Sequence, residues 1–226
     1  MKSVLSTKKL SLSQRELLIN ASVSLVEYNA IKIEFEPFTI PQKIKYAIFT
    51  SQNGVNSFFQ NLSNNKTSIN NVVVENCLCV GEKTRTLLEQ YGVNVIKTTE
   101  YATELAQYLV ENHKNDWFYF FCGNIRSDEI PSKLTENDIS FQEIVVYKTS
   151  LNIKRIDRQF DAVLFFSPSG VRSYISENKL DTSIAICIGT TTASEAKKYC
   201  ENVVIANATT VESVIAKAVK TLKSYD

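Results

Sequence analysis

The residues of this chain with the clearest chemical potential are hydroxyls and glycines gathered in short turns. Ala47-Ile48-Phe49-Thr50-Ser51 runs into Gln52-Asn53-Gly54, and Leu78-Cys79-Val80 into Gly81-Glu82-Lys83-Thr84. Further on, Val163-Leu164-Phe165-Phe166 leads to Ser167-Pro168-Ser169-Gly170, and Ile186-Cys187-Ile188 to Gly189-Thr190-Thr191-Thr192. Each turn follows an apolar run and precedes a stretch with helical apolar spacing, such as Val55, Phe58, Phe59 and Leu62, so each is expected where a strand passes into a helix. Hydroxyls and main-chain N–H groups at such a junction favour anions, and glycine lets the backbone turn tightly and approach a ligand closely. The chemistry would be the capture of acidic groups by neutral donors. A further turn, Cys122-Gly123-Asn124-Ile125-Arg126, adds a guanidinium that could grip a carboxylate or stand solvated. For any one of these glycines the alternative is turn geometry alone, and Thr84 and Thr192 can also be read as helix N-caps.

The elements that must position these turns come in two copies. Ala47 to Phe59 aligns with Val163 to Ile175, keeping Phe, Ser, Gly, Val and Ser in register, and Leu78 to Thr84 then aligns with Ile186 to Thr192 in the same order. Apolar strands alternating with helices imply parallel sheets covered on both faces. In open sheets of this kind the ligand crevice lies at the carboxyl ends of the strands. The first helix is announced by Ser13-Gln14-Arg15-Glu16, a capping-box spacing, and is expected to run to about Val26. Ile31 to Glu36 alternates apolar and charged residues before Pro37, and Ile144 to Ser150 stands between the repeat copies and can pair with it. The expected fold is α/β: two similar lobes with flavodoxin-like parallel sheets flanked by helices, joined by a two-stranded β linker. Residues 37–143 would form one domain inserted into another made of 1–36 and 152–226, with connecting strands at 31–36 and 144–151.

Bulk properties narrow the function. The 226 residues are 44% hydrophobic and 22% charged, with a net charge of +1, which is globular and lacks the basic excess of a nucleic-acid or membrane-surface binder. The stretch Met1 to Leu18 has no signal-peptide core, and no apolar run reaches membrane-crossing length. Cys77, Cys79, Cys122, Cys187 and Cys200 are odd in number and lie mostly in or beside apolar runs, as reduced structural thiols do. The one histidine, His113, sits in a polar segment with no evident partner, so a histidine triad or metal site is not expected. Neither G-x-G-x-x-G nor G-x-x-x-x-G-K-[ST] occurs, which argues against a nucleotide-dependent enzyme. Arg85 and Arg172 fall within helical stretches and are expected at the surface. These properties are those of a cytosolic protein without a metal site.

Taken as an ordered set, Phe49-Thr50-Ser51, Val80-Gly81-x-x-Thr84, Phe121-Cys122-Gly123-Asn124-Ile125-Arg126, Val146-Tyr147-Lys148-Thr149, Phe165-Phe166-Ser167-Pro168-Ser169-Gly170 and Ile188-Gly189-x-Thr191-Thr192-Ala193 resemble uroporphyrinogen-III synthase over nearly the whole chain. The resemblance implies cyclisation of hydroxymethylbilane, a linear tetrapyrrole, to uroporphyrinogen III, with inversion of the last ring and loss of water and without a cofactor. It implies that the substrate's carboxylates are held in an interdomain cleft, largely by main-chain N–H groups and hydroxyls. The contacts would come from Lys8, Ser51, Gly81, Thr84, Gly123, Asn124, Arg126, Ser167, Ser169, Gly189, Thr191 and Thr192. Two positions depart from the family pattern: Lys8 stands where many members have arginine, and Thr190 where proline is common. Tyr147 is the candidate catalytic donor, because a tyrosine is protonated at neutral pH and could assist departure of hydroxide. It would face the cleft or the solvent, and the other reading is a packed strand tyrosine. The competing function is a bilobal small-ligand binding protein without catalysis.

Overall fold

In the computed structural model, residues 1–64 and 72–224 are described. The chain begins with β1 (Ser3–Ser6), α1 (Leu12–Ile19), β2 (Ser24–Glu27), β3 (Ile31–Phe35), β4 (Lys43–Phe49), α2 (Gln52–Asn64), β5 (Val73–Val80), α3 (Glu82–Gln90) and β6 (Val95–Thr99). It continues with α4 (Ala102–Asn112), β7 (Phe118–Gly123), α5 (Glu129–Glu136), β8 (Phe141–Leu151), β9 (Ala162–Phe165) and α6 (Pro168–Ile175). The last elements are β10 (Ile184–Cys187), α7 (Thr190–Ala196), β11 (Val203–Ile205) and α8 (Val211–Lys223). No helix among the described residues is long and apolar enough to cross a membrane.

The chain divides into two compact units, one of residues Met1–Lys32 and Ser150–Asp226, the other of Ile33–Thr149. The first holds a five-stranded sheet in the order β11-β10-β9-β1-β2, with every adjacent pair parallel. Its central strands are short because they are buried throughout: β1, β9 and β10 are each four residues with no exposed position. Alternate residues serve opposite faces. Val4, Ala162, Leu164, Ile184 and Ile186 pack with Leu18 of α1 and with Val214, Ile215, Ala218 and Leu222 of α8. Leu5, Val163, Phe165, Ala185 and Cys187 pack on the other side with Val171 and Tyr174 of α6 and Ala193 and Ala196 of α7. Burial of each leucine- or phenylalanine-sized side chain here stabilises by roughly 1.5–3 kcal/mol.

The second unit repeats this plan with the order β3-β8-β7-β4-β5-β6. Phe49 directs its ring to α2 and α3 with Phe58 and Leu88, while its neighbour Ile48 serves the opposite face with Leu105 and Leu109 of α4 and Ile130 and Leu134 of α5. The two layouts superpose when β9, β10, β11, β1 and β2 are matched to β4, β5, β6, β7 and β8. The pair that comes first in the chain in one unit comes last in the other, so the spatial arrangement is the same and the order is circularly permuted.

Two local expectations change. The N-cap of α1 is Ser11, not Ser13: its hydroxyl accepts from the Gln14 N–H, and the Gln14 side chain accepts from the Ser11 N–H. The helix stops at Ile19 instead of Val26, because Ser24 to Glu27 pair in parallel register with Ser3 to Ser6, and a strand that completes the sheet outcompetes two more helical turns. The unit boundaries also lie outside 37 and 143. Strand β8 hydrogen-bonds with β7 from Phe141 to Tyr147 as well as lying beside β3, so its length belongs to the sheet of the second unit. Across β3 and β8, the Glu36 N–H donates to the Val146 carbonyl and Lys148 pairs with Glu36 at 3.0 Å.

Candidate functional site

In the second unit the predicted residues collect at the carboxyl ends of β4, β7 and β8. The ladder between β7 and β8 slips at its end, so that Cys122 faces Val145 but Gly123 faces Tyr147. The extra residue breaks the alternation and leaves Val146 and Tyr147 both buried. Tyr147 is 7% exposed. Its ring lies where a side chain at position 123 would be: a Cβ there would stand 2.5 Å from Cζ and 2.8 Å from the hydroxyl oxygen. Glycine at 123 is therefore a requirement of the tyrosine above it. The Tyr147 hydroxyl lies 3.0 Å from Ser51 Oγ, which also accepts from the Gly54 N–H at 3.1 Å, so Ser51 caps α2 and touches the phenol with one oxygen. Burial pushes the Tyr147 phenol above its usual range, and the bond to Ser51 offsets part of that rise.

Asn124 and Arg126 are occupied by the protein. The Asn124 side chain continues the ladder beyond Gly123, with Nδ2 donating to the Thr149 carbonyl at 3.3 Å and Oδ1 accepting from the Thr149 N–H at 2.8 Å. Arg126 meets Glu143 with both prongs, Nε to Oε2 at 2.6 Å and Nη2 to Oε1 at 2.7 Å, and Nη1 also contacts Asp128. These carboxylates, Glu143 foremost, hold the guanidinium charged and neutralise it. The expected free carboxylate grip is thus filled from within.

The paired glycine turns differ from expectation in one respect. The N-caps of α3 and α7 are Gly81 and Gly189, neither with a side-chain cap, while Thr84 and Thr192 sit three residues further in and are buried. Gly81 has φ +86, a conformation that side chains resist, and it turns the chain so that its N–H reaches the Thr99 carbonyl at 2.8 Å. Thr191 is exposed at the start of α7.

In the first unit Ser167 caps α6, accepting from the Gly170 N–H at 3.0 Å, the same contact that Ser51 makes with Gly54. Ser169 accepts from Arg172 at 3.1 Å, and Arg172 also approaches Glu195 at 3.7 Å, so this arginine is tied into its own unit. Lys8 is exposed at the end of β1, beside Thr7, whose hydroxyl donates to the Leu164 carbonyl at 2.7 Å.

Sequence reasoning missed the carboxylate partners. Leu164 faces Ser6 and Ser6 faces Glu27; Ile48, the repeat equivalent of Leu164, faces Phe120 and Phe120 faces Glu143. Glu27 and Glu143 thus hold matching places, and each takes an arginine that precedes it in the chain, Arg126 from the turn after β7 and Arg15 from α1, which reaches Glu27 at 2.5 Å. An acidic residue at the same register position, two strands from the serine-bearing strand in both copies, was the available signal. His113 also has a partner, Asp116, at 2.9 Å from Nδ1, within an aromatic setting of Tyr46 and Phe118. Among the described residues no three His, Cys, Asp or Glu side chains gather to hold a metal ion. A cavity of about 400 Å³ in the first unit, lined by Arg155, Tyr174, Asn178 and Leu180 among others, contains none of the residues singled out above.

Comparison with known proteins places this geometry in company. The chain matches the family model described as Uroporphyrinogen-III synthase HemD over residues 14–216. A curated relative, the porphyrin biosynthesis protein HemD of Ruminiclostridium josui, is 28% identical over 190 residues, which is 76% of this chain and 37% of the relative, so the chain spans well under half of that protein. The fold is similar to the crystal structure of uroporphyrinogen-III synthetase from Helicobacter pylori, with a TM-score of 0.72 and 18% identity over 98% of this chain and 100% of that one. It is also similar to a mutant uroporphyrinogen III synthase from Thermus thermophilus, with a TM-score of 0.69 and 12% identity over 99% and 100% of the two chains.

Proposed function

Because the chain belongs to the uroporphyrinogen-III synthase family, matched over residues 14–216, we propose that it cyclises hydroxymethylbilane to uroporphyrinogen III with inversion of ring D and loss of water. That family match is the observation that carries the reading. The chemistry starts at the hydroxymethyl carbon of the substrate, where the C–O bond breaks as a pyrrole nitrogen lone pair pushes in. The departing hydroxide takes a proton from Tyr147 and leaves as water, and the Tyr147 phenolate recovers a proton from the ring carbon that loses it after the new C–C bond closes. A buried phenol with a raised pKa is fully protonated at neutral pH and is suited to giving a proton only as negative charge develops on the leaving oxygen.

The acetate and propionate groups are bound largely by neutral donors at strand ends, Gly81 and Thr84 in the second unit and Ser167, Ser169, Gly189, Thr191 and Thr192 in the first, with the cation Lys8 also in the first. Thr84→Ala and Thr192→Ala are expected to act mainly on KM, each neutral contact being worth about 1 kcal/mol. We read the protein as a cytoplasmic monomer with no nucleic-acid or membrane partner; its net charge of +1 and five free thiols fit that setting. The test is a coupled assay that feeds enzymatically made hydroxymethylbilane to the purified protein and separates isomers I and III. Excess III is the expected outcome, and a product mixture identical to spontaneous closure would overturn the proposal.

A further inference from the structure

Ser51 was expected to touch substrate, yet its oxygen is already engaged on two sides within the second unit. One lone pair accepts from the Gly54 N–H at 3.1 Å, and the Tyr147 oxygen lies at 3.0 Å. A serine hydroxyl has a single hydrogen and two acceptor sites. A hydroxyl that accepts from a backbone N–H is polarised toward donating its own hydrogen, and the nearest acceptor is the phenol oxygen. The run from Gly54 N–H through Ser51 to Tyr147 also starts at the N-terminus of α2, whose thirteen residues end in partial positive charge on that side. From these contacts we propose that Ser51 is a positioning residue for Tyr147: it donates to the phenol oxygen, leaves the phenolic hydrogen free for the substrate, and supports the phenolate that forms when that hydrogen is given up. The inference rests on the reading of Tyr147 as the proton donor.

Three further observations bear on it. Burial opposes phenolate formation at Tyr147, so an acid in this place needs a fixed donor, and Ser51 is the side chain whose bond works against the rise. Gly123 fixes the ring from below, since any side chain there would meet it at 2.5 Å. Finally, Ser167 makes the same capping contact with Gly170 in the first unit and, among the described residues, hydrogen-bonds to no tyrosine, so capping and phenol contact are separable functions of the same serine.

The experiment follows Tyr147 directly. Tyrosinate absorbance is titrated without substrate in the wild-type protein and in Tyr147→Phe, and the difference isolates the Tyr147 midpoint. In Ser51→Ala that midpoint should rise by about one pH unit or more, as expected for loss of a hydrogen bond to a charged oxygen. In the coupled assay kcat should fall by about tenfold with KM within about twofold, and Ser51→Thr, which keeps the hydroxyl and the cap, should restore both readouts. Ser167→Ala removes an equivalent cap and must leave the Tyr147 midpoint where it is. An unmoved midpoint in Ser51→Ala overturns the proposal, and so does a rise in KM at unchanged kcat, which would return Ser51 to the substrate contacts. If Ser51→Ala does not fold, the comparison of Ser51→Thr with Ser51→Cys carries the test, the thiol being the poorer donor and expected to give the higher midpoint. A wild-type protein that makes no isomer III removes the catalytic reading, and the proposal with it, even where the titration shows the hydrogen bond.

Discussion

The two units are built alike and equipped differently. Each sets a serine at the end of a central strand, caps the next helix with it through a glycine N–H three residues on, and pins an arginine to a glutamate on the strand two places away. Among the described residues, only the second unit brings a tyrosine hydroxyl to that serine, and it does so through one slipped residue in β8. The duplicated parts are those that make the fold; the tyrosine proposed to react is an addition to one copy, on a strand flanked by β7 and β3.

The sharpest way to break this comparison is Tyr147→Phe. With the phenol gone, kcat should fall by about a hundredfold or more while product binding changes little, because the hydroxyl is proposed to act as the C–O bond breaks. Near-normal turnover would make the second unit no more reactive than the first. The pH dependence follows from the raised phenol: its protonated form persists past the ordinary midpoint near 10. The Tyr147-dependent share of kcat should accordingly hold up to that pH and be lost only above it, a limb that Tyr147→Phe abolishes. A decline centred below about pH 8 would implicate another group as the acid.

A smaller effect is expected at the arginine pairs. Arg126→Ala should destabilise the protein by about 2 kcal/mol in denaturant unfolding, because it breaks a two-pronged pair and leaves Glu143 partly buried without its cation. Arg15→Ala removes a single contact at a more exposed side chain and should lower stability by less than about 1 kcal/mol. Equal losses would mean that the two pairs are equivalent after all.

The smallest contrast is between the repeat partners Ser57 and Ser173, both fully buried. Ser57 donates to the Val146 carbonyl and so supports the strand that carries Tyr147. Ser173 lies near the Tyr28 hydroxyl, close enough to offset a little of the rise that burial forces on that phenol, which reaches about 12, yet neither oxygen makes a well-directed hydrogen bond. Ser57→Ala is expected to cost about 1 kcal/mol and Ser173→Ala nothing measurable, read as shifts of the unfolding midpoint at constant slope. A larger loss at Ser173 would show that its hydroxyl has work that the contacts do not reveal.

How much of this was legible beforehand depends on range. The α/β class and the repeat could be read because continuous apolar runs and their turns are local, and Ala47 to Phe49 and Val163 to Phe165 look alike wherever they fold. The end of α1 could not, since Ser24 to Glu27 is a strand only by virtue of the neighbour it pairs with. Tyr147 was singled out, but its direction was not, because alternation predicts sides only for a regular strand and β8 slips just before it. Arg126 read as a free cation because Glu143 lies seventeen residues away, and Ser51 as a substrate contact because Tyr147 lies ninety-six away. Residue type and spacing identified the groups; which of them satisfy one another is a matter of tertiary placement.

The permuted strand order has a consequence for how the molecule comes into being. The second unit is continuous from Ile33 to Thr149, so as the chain leaves the ribosome its sheet can close by pairing segments that emerge within one stretch of synthesis. Strand β1 emerges before the second unit and waits, for the Thr7 N–H meets the Leu164 carbonyl and Ser3 meets Asp161 only after the whole of Ile33–Thr149 has been made. Closing that distance is entropically slow. During the delay Val4 and Leu5, which end wholly buried, stand uncovered in the nascent chain. Pulse-labelled refolding should show amide protection arriving in β4 and β7 before β1, and substitutions that weaken β9 should slow recovery of the first unit while leaving the second on its own timetable.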